Sequence, residues 1–189
     1  LRRRRCIILL LWGGFKTAPY TFCMKEKIFY IENLKKEIKD MREELIKDCF
    51  KYRDHSLSKG NNHELFTKHH DKLYSVFLKS CQKNLKKFNV IKTKTKLFSY
   101  LTDKDYEGEV FWHNHQDTCT VCGVLYLKTV KGCGIKLKHN DKVTYVEPKT
   151  YDLLVFPGFI DHLPVIHKTK ERISIQLEIS CFESHDQIW

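Results

Sequence analysis

Three residues that can bind a metal ion stand two apart in the segment His113-Asn114-His115-Gln116-Asp117. Alternate side chains of a β-strand point to the same face, so two residues spaced in this way can reach one ion. His113 with His115 has this spacing, and so does His115 with Asp117. The segment therefore predicts a pair of metal ligands, and His115 belongs to either version of the pair.

A third histidine and an arginine follow in an order that suits a metal centre beside a bound organic acid. His162 comes after residues 152–157, which have the pattern of a buried strand and a turn. About ten residues later, Arg172 and Ser174 lie two apart on one face of another predicted strand. Two imidazoles and a third ligand leave three positions of an octahedral Fe(II) open for a cosubstrate and O₂. A buried arginine binds the far carboxylate of a dicarboxylic cosubstrate through its planar fork.

The chain that must position these residues changes its hydrophobic period near Asn89. Before this point, apolar residues at steps of three and four predict one amphipathic helix over 31–45 and a second from about 63 to 88. After it, short runs rich in β-branched and aromatic residues alternate with turn residues such as Asn140-Asp141, which predicts an antiparallel sandwich or barrel. These runs are 109–114, 121–128, 133–139, 142–147, 152–156, 162–166 and 171–180. The sequence therefore predicts one α+β domain in which N-terminal helices support a β-rich C-terminal part.

The charge of the chain is uneven. Its 189 residues carry a formal net charge of +11, and 42% of them are hydrophobic, which excludes a wholly disordered chain. Five of the excess positive charges lie in residues 1–23, residues 24–100 carry +9, and residues 101–189 carry −3. A basic helical flank is compatible with nucleic acid docking on the helices. The charge says nothing about the chemistry of the site.

The two ends of the chain are interpreted separately from the domain. Residues 1–23, with four arginines before a short apolar run, are interpreted as a leader outside the native folded protein, which we expect to start near Met24. The apolar run 6–12 is far shorter than the ~20 residues that span a bilayer, so no transmembrane segment is predicted. Residues 183–189 are interpreted as a tail.

The cysteines indicate a reducing compartment. Eight cysteines in 189 residues are too few for a disulfide scaffold, so we expect an intracellular, cytoplasmic setting. Cys119 and Cys122 form one C-x-x-C motif, which could be half a zinc site or a redox pair. No second half-site accompanies it at zinc-finger spacing. We therefore favour two small apolar side chains at the start of a strand.

Residues 97–182 resemble the iron(II)/2-oxoglutarate-dependent dioxygenase superfamily, in particular a phage- and bacterial-type branch of it. The resemblance is carried by Trp112-His113-Asn114-His115 before the strand 123–127. It is carried as well by the segment 151–162 followed by Arg172-Ile173-Ser174-Ile175. The resemblance implies a double-stranded β-helix (jelly roll) over 97–182, with residues 24–96 as a helical region that packs on it.

The resemblance also implies a role for each candidate residue. His162 would be the distal iron ligand, and Arg172 would bind the C5 carboxylate of 2-oxoglutarate with Ser174 and Tyr126 as further contacts. The usual first pair of the superfamily is His-x-Asp, which His115 and Asp117 satisfy, whereas this branch tends to show His-x-His. We expect His113 and His115, with Asp117 as the alternative ligand. No catalytic residue is expected beyond the metal centre.

The implied function is oxygenation with Fe(II), 2-oxoglutarate and O₂. Decarboxylation of 2-oxoglutarate to succinate would be coupled to hydroxylation, or to demethylation through hydroxylation. The substrate could be a protein side chain, a nucleobase or a small metabolite, and the oligomeric state is left open. Three alternatives are a cupin-like metal protein that does not use 2-oxoglutarate, a non-catalytic nucleic-acid-binding protein and a structural jelly roll.

Overall fold

A computed structural model describes residues 29–51, 68–84, 93–102, 109–167 and 170–181. Within these ranges lie the strands and helices β1 (Tyr30–Asn33), α1 (Lys35–Ile38), α2 (Arg42–Lys51), α3 (His70–Asn84), β2 (Thr93–Thr102), β3 (Val121–Lys128), β4 (Ile135–His139), β5 (Lys142–Val146), β6 (Asp152–Pro157), β7 (Asp161–Pro164) and β8 (Arg172–Cys181). None of these described helices is long and apolar enough to cross a membrane. The predicted leader 1–23, the expected start at Met24 and the predicted tail 183–189 lie outside the described residues.

The strands form two antiparallel sheets. The larger sheet has the order β1-β6-β3-β8-β2, and the smaller sheet has the order β5-β4-β7. The hairpin between β4 and β5 turns at Asn140 and Asp141, whose φ angles of 47° and 62° are the left-handed values that a two-residue hairpin turn needs. The turn predicted from these two residues is therefore confirmed.

The larger sheet is covered on both faces. Its central strands β3 and β6 consist almost entirely of buried residues, as expected of a strand with a core on each side. On one face, Leu125 and Leu177 pack with Leu45 of α2 and Phe77 of α3. On the other face, side chains of β3 and β6 form a second core with residues of β4 and β5, including Val124, Phe156, Leu137 and Val146.

The last strand, β8, divides its side chains between these two faces by simple alternation. Ile173, Ile175, Leu177 and Ile179 enter the core on the helix side. Arg172, Ser174 and Glu178 are also buried, and Gln176 is half-buried, on the side that faces the smaller sheet. One strand therefore supplies both a hydrophobic contact for the helices and a row of polar groups inside the sandwich.

Two predicted elements differ in the structure. The helix predicted over 31–45 is wrong at its start, because Tyr30–Asn33 pair with β6 as an edge strand and α1 begins only at Lys35. The run 109–114 forms no strand and takes part only in an isolated bridge at His113. The second predicted helix is found as α3, while residues 63–67 and 85–88 of its predicted span lie outside the described residues.

Gly123 of β3 lies directly under the ring of Phe77 in α3. A Cβ atom at Gly123 would lie 2.5 Å from Cε2 of Phe77, whose side chain is buried. We expect Gly123→Ala to lower the free energy of unfolding by about 1–3 kcal/mol, because overpacking forces shifts in a filled core. Urea unfolding measures this change.

A second substitution tests whether the effect of Gly123→Ala comes from this contact. Phe77→Leu removes ring atoms from the space that the new methyl group needs. The double variant should therefore be more stable than the sum of the two single effects predicts. Additive losses would contradict a direct clash between the two side chains.

Candidate metal centre

Three histidines from two parts of the chain meet at one end of the sandwich. His113, His115 and His162 each offer a ring nitrogen, and the three atoms lie within 4.8 Å of one another. His162 lies in β7 and is buried, whereas His113 and His115 lie in the irregular segment before β3 and are half-buried. The group can therefore close around a single ion.

Backbone hydrogen bonds hold these segments together. The N–H of His113 donates to the carbonyl of His162 at 3.1 Å, and the N–H of His162 donates back at 2.8 Å. The N–H of His115 donates to the carbonyl of Gly158 at 2.7 Å. Between the two histidines, the side-chain amide of Asn114 donates to Asp161 at 2.8 Å. Rigid backbone contacts thus position the three rings.

Gly158 allows one of these contacts because the chain passes very close to it. A Cβ atom at Gly158 would lie only 2.1 Å from the carbonyl oxygen of Cys119. Since a backbone atom cannot yield as a flexible side chain can, glycine is required here. Its small size lets the turn after β6 lie against the segment that carries His115.

Each ring has an oxygen atom close to its Nδ1 atom, and at His113 and His162 this oxygen is a hydrogen-bond acceptor. His113 Nδ1 lies 2.9 Å from the carbonyl of Phe111, and His162 Nδ1 lies 3.1 Å from the carbonyl of Ile160. His115 Nδ1 lies 3.2 Å from Oε1 of Glu178. At His113 and His162, a carbonyl acceptor at Nδ1 keeps the proton on that nitrogen and leaves the Nε2 lone pair for a metal ion, as in many metal-ligating histidines.

The protonation state of His162 suits a ligand. Burial, reinforced by the neighbouring His113 and His115 rings, lowers the pKa of His162 to about 3. The ring is therefore neutral at ordinary pH, which is the form that coordinates a metal.

A buried arginine lies in the pocket that His113 and His162 line. Arg172 is 3% exposed, and its guanidinium carbon lies 5.1 Å from the centre of the Tyr126 ring. Arg172 Nε and the Tyr126 hydroxyl are both buried, and neither has a hydrogen-bond partner among the described residues. Burial also raises the pKa of Tyr126, although the arginine charge opposes this shift, so the hydroxyl stays protonated and can donate. Buried polar groups normally have partners, so these two are prepared for a ligand.

The pocket connects the arginine to the histidines. It encloses about 360 Å³ of empty space and is lined by His113, Val124, Ile135, His162, Pro164, Arg172, Ser174 and Gln176. An anion held by Arg172 at one end can extend toward a metal held by the histidines. The residues therefore fit a dicarboxylic cosubstrate that spans from a guanidinium to an ion.

The remaining candidates from the sequence lie elsewhere. Asp117 is exposed and does not belong to the group of clustered ligand atoms. Cys119 and Cys122 are buried in the second core with their sulfurs 3.0 Å apart, and burial raises the pKa of Cys122. Neither thiol belongs to the metal group found among the described residues.

The sequence analysis missed two residues of the site. Gln176 Nε2 lies 2.9 Å from Glu178 Oε1 and 3.1 Å from His115 Nε2, so β8 reaches the histidines with polar side chains. These two residues are Gln176 and Glu178. Their spacing could have indicated them, because Arg172, Ser174, Gln176 and Glu178 are polar residues at every second position of an otherwise apolar strand.

Comparison with known proteins identifies the fold. No protein-family model matches the sequence, and no curated protein matches it either. Among solved structures, a truncated viral collagen prolyl hydroxylase from Paramecium bursaria Chlorella virus-1 is similar, with a TM-score of 0.54 and 17% identity over 90% of this chain and 98% of that one. A prolyl-4-hydroxylase from Pseudomonas putida gives a TM-score of 0.55 and 16% identity over 82% of this chain and 88% of that one. A Trichoplax adhaerens prolyl hydroxylase, in complex with a peptide of hypoxia inducible factor, gives a TM-score of 0.57. Its identity is 16% over 82% of this chain and 84% of that one.

This chain has the same fold as these prolyl hydroxylases. The resemblance stated from the histidines and Arg172 is therefore confirmed at the level of fold. Within this fold, His113, His162 and the buried Arg172 line one pocket, and His115 clusters with the two other histidines.

Metal binding by the histidine group can be measured directly. We expect the protein to bind Mn(II) or Co(II) at one site, and His162→Ala to weaken binding by more than the roughly 10–100-fold that loss of an outer partner costs. His70→Ala is the matched control, because His70 lies on α3 away from the cluster. Calorimetric titration of both variants would contradict the assignment if His162→Ala bound the ion as tightly as His70→Ala.

Proposed function

We propose that this protein is an Fe(II)- and 2-oxoglutarate-dependent oxygenase and that its two sheets form a double-stranded β-helix over residues 97–182. The observation that carries the proposal is the pocket that His113 and His162 of the histidine cluster share with Arg172, whose Nε has no hydrogen-bond partner among the described residues. The alternative function is that of a cupin-like metal protein that does not use 2-oxoglutarate. Such a protein would not need a buried guanidinium beside the metal ligands.

Different residues would bind the ion and the cosubstrate. His113, His115 and His162 would hold Fe(II), with His113 preferred to Asp117 because Asp117 is exposed and outside the cluster. When bound, Fe(II) and 2-oxoglutarate supply, with O₂, the oxidative decarboxylation to succinate and CO₂ that drives hydroxylation or hydroxylation-linked demethylation of a substrate.

Arg172 fixes the far end of the cosubstrate. Its planar fork would bind the C5 carboxylate, and the hydroxyls of Tyr126 and Ser174 would donate further hydrogen bonds. Tyr126 and Ser174 are buried and lie opposite each other in the register of β3 and β8. The pocket walls Val124 and Ile135 exclude water from this ion pair, which strengthens it.

A polypeptide side chain is the substrate class that we propose first. Phe111 and Trp112, two residues and one residue before the ligand His113, are 67% and 41% exposed, and Phe159 is 39% exposed. Exposed aromatic side chains beside a pocket are typical of a docking surface. The Trichoplax neighbour with its bound peptide supports the same class. Nucleobases and small metabolites are the competing outcomes of a substrate screen.

Docking of nucleic acid and a cytoplasmic setting stay predictions. Part of the basic flank that suggests nucleic acid lies outside the described part of the chain, namely Arg53, Lys59, Lys86, Lys87 and Lys92. Among the described residues, the thiols of Cys49, Cys81, Cys119, Cys122 and Cys133 are buried, which is compatible with the reducing compartment that we propose.

The activity is tested by product formation. We expect the protein, supplied with Fe(II), 2-oxoglutarate and O₂, to form succinate and CO₂ in equal amounts even without a substrate. The His70→Ala variant should retain this turnover, and His162→Ala should lose it. Turnover that persists undiminished in His162→Ala would refute the proposal.

A second test separates cosubstrate binding from metal binding. Arg172→Met removes the guanidinium but keeps an unbranched apolar chain, so we expect Mn(II) affinity within about twofold of wild type. Affinity of the Mn(II)-loaded variant for 2-oxoglutarate should fall by roughly 30-fold or more, as loss of one charge-assisted pair implies. Lys136→Met, on an exposed position of β4, is the matched control. Equal 2-oxoglutarate affinity of the two variants would favour the cupin-like rival.

A further inference from the structure

Strand β3 contains an irregularity at Leu127, the residue after Tyr126. Tyr126 lies opposite Ser174 of β8, but Lys128 lies opposite Ile173, so Leu127 is one residue too many for regular pairing. An extra residue in one strand of an antiparallel pair is a β-bulge, which bends the strand and disrupts the ladder at that point. Bulges are frequent next to active sites, where they redirect a side chain.

The bulge determines which cation lies inside the sandwich. Alternate residues of a regular strand share one face, so Lys128 would point to the same side as Tyr126. Regular pairing continued from Tyr126 and Ser174 would also place Lys128 opposite Arg172. Two cations would then lie side by side in the interior. In the structure, Lys128 is exposed and pairs with Glu171, while Arg172 is buried beside the Tyr126 ring.

Arg42 of α2 holds the bulge from the helix side of the sheet. Its Nε donates to the carbonyl oxygen of Leu127 at 2.8 Å. Its guanidinium carbon lies 5.8 Å from the centre of the Tyr151 ring, which is within the range of a cation–π contact. A hydrogen bond from a charged donor is stronger than one between neutral groups. Arg42 therefore fixes a carbonyl at the point where the ladder is disrupted.

Tyr151 holds the residue before the bulge. Its N–H donates to the carbonyl of Tyr126 at 2.7 Å, and its own carbonyl accepts from the N–H of Leu34 at 2.9 Å. The φ angle of Tyr151 is 76°, a left-handed value that is unfavourable for a bulky side chain. Such a conformation persists only where the surrounding contacts impose it. The backbone of Tyr151 is thus fixed on both sides, with its ring beside Arg42.

We propose that Arg42 and Tyr151 are positioning residues for cosubstrate binding that act through Tyr126. They hold the two carbonyls at the bulge, so that Lys128 stays outside and Tyr126 stays beside Arg172. Neither positioning residue lines the pocket itself. The inference rests on the proposed function and deepens it, because it extends the cosubstrate site to helix α2.

Affinity for 2-oxoglutarate, measured by calorimetric titration, tests this role. Arg42→Met keeps an unbranched apolar chain beside Tyr151 but removes the bond to the Leu127 carbonyl. We expect the affinity of the Mn(II)-loaded variant for 2-oxoglutarate to fall roughly 3–10-fold, a part of what a hydrogen bond from a charged group contributes. Mn(II) affinity should not change, because the histidines are untouched. Lys47→Met removes an equal charge from an exposed position of the same helix and should bind 2-oxoglutarate as wild type does.

A double-mutant cycle separates positioning from a general loss of stability. Tyr126→Phe removes the hydroxyl that we place on the cosubstrate. If Arg42 acts through Tyr126, Arg42→Met should cost less 2-oxoglutarate affinity in the Tyr126→Phe background than in wild type. Fully additive losses, or wild-type affinity of Arg42→Met for 2-oxoglutarate, would overturn the proposal.

A second variant keeps the test valid if Arg42→Met does not fold. Tyr151→Gly suits the φ angle of 76° and keeps the N–H that bonds to Tyr126, but it removes the ring beside Arg42. We expect this variant to bind Mn(II) as wild type does and to lose affinity for 2-oxoglutarate. If Mn(II)-loaded wild type bound no 2-oxoglutarate, the proposed function would fail. If wild type bound it and neither variant lost affinity, only this inference would fail.

Discussion

The two backbone hydrogen bonds between His113 and His162 are the contact on which the site depends. They join the irregular segment before β3 to β7, so that residues from separate parts of the chain share one metal position. The amide of Asn114 bonded to Asp161 reinforces the same junction. Because backbone atoms make the bridge, the rings are oriented before any ion arrives, which is the preorganisation that a metal centre needs.

The second constraint is the two-sided character of β8. Its isoleucines and leucine pack on the helix-side core, while its polar residues run from Arg172, which lines the pocket, to Glu178 beside His115. Strand alternation fixes the separation between the cosubstrate end and the metal end. The same strand therefore couples the stability of the helical layer to the geometry of the site.

The sequence predicted the parts of the site that are visible in local spacing. The sequence analysis selects His113, His115, His162, Arg172 and Ser174 from their spacing and order along the chain. The structure clusters the three histidines, although His113 and His115 lie in an irregular segment and not on the expected strand. The turn at Asn140-Asp141 follows from residue types that tolerate positive φ. Glu178 and Gln176 could not be assigned in this way, because their relation to His115 depends on how β8 pairs with β3 and on the turn that follows His115. The start of the first helix was wrong for a similar reason. Residues 30–33 have a spacing that suits a helix, but their pairing with β6 decides their conformation.

The central claim is that one pocket holds Fe(II) and 2-oxoglutarate together, and anaerobic absorption spectroscopy tests it most directly. Without O₂, addition of 2-oxoglutarate to the Fe(II)-loaded protein should produce a visible metal-to-ligand charge-transfer band that saturates at one equivalent. A protein that binds Fe(II) but gives no such band at saturating 2-oxoglutarate would contradict the account.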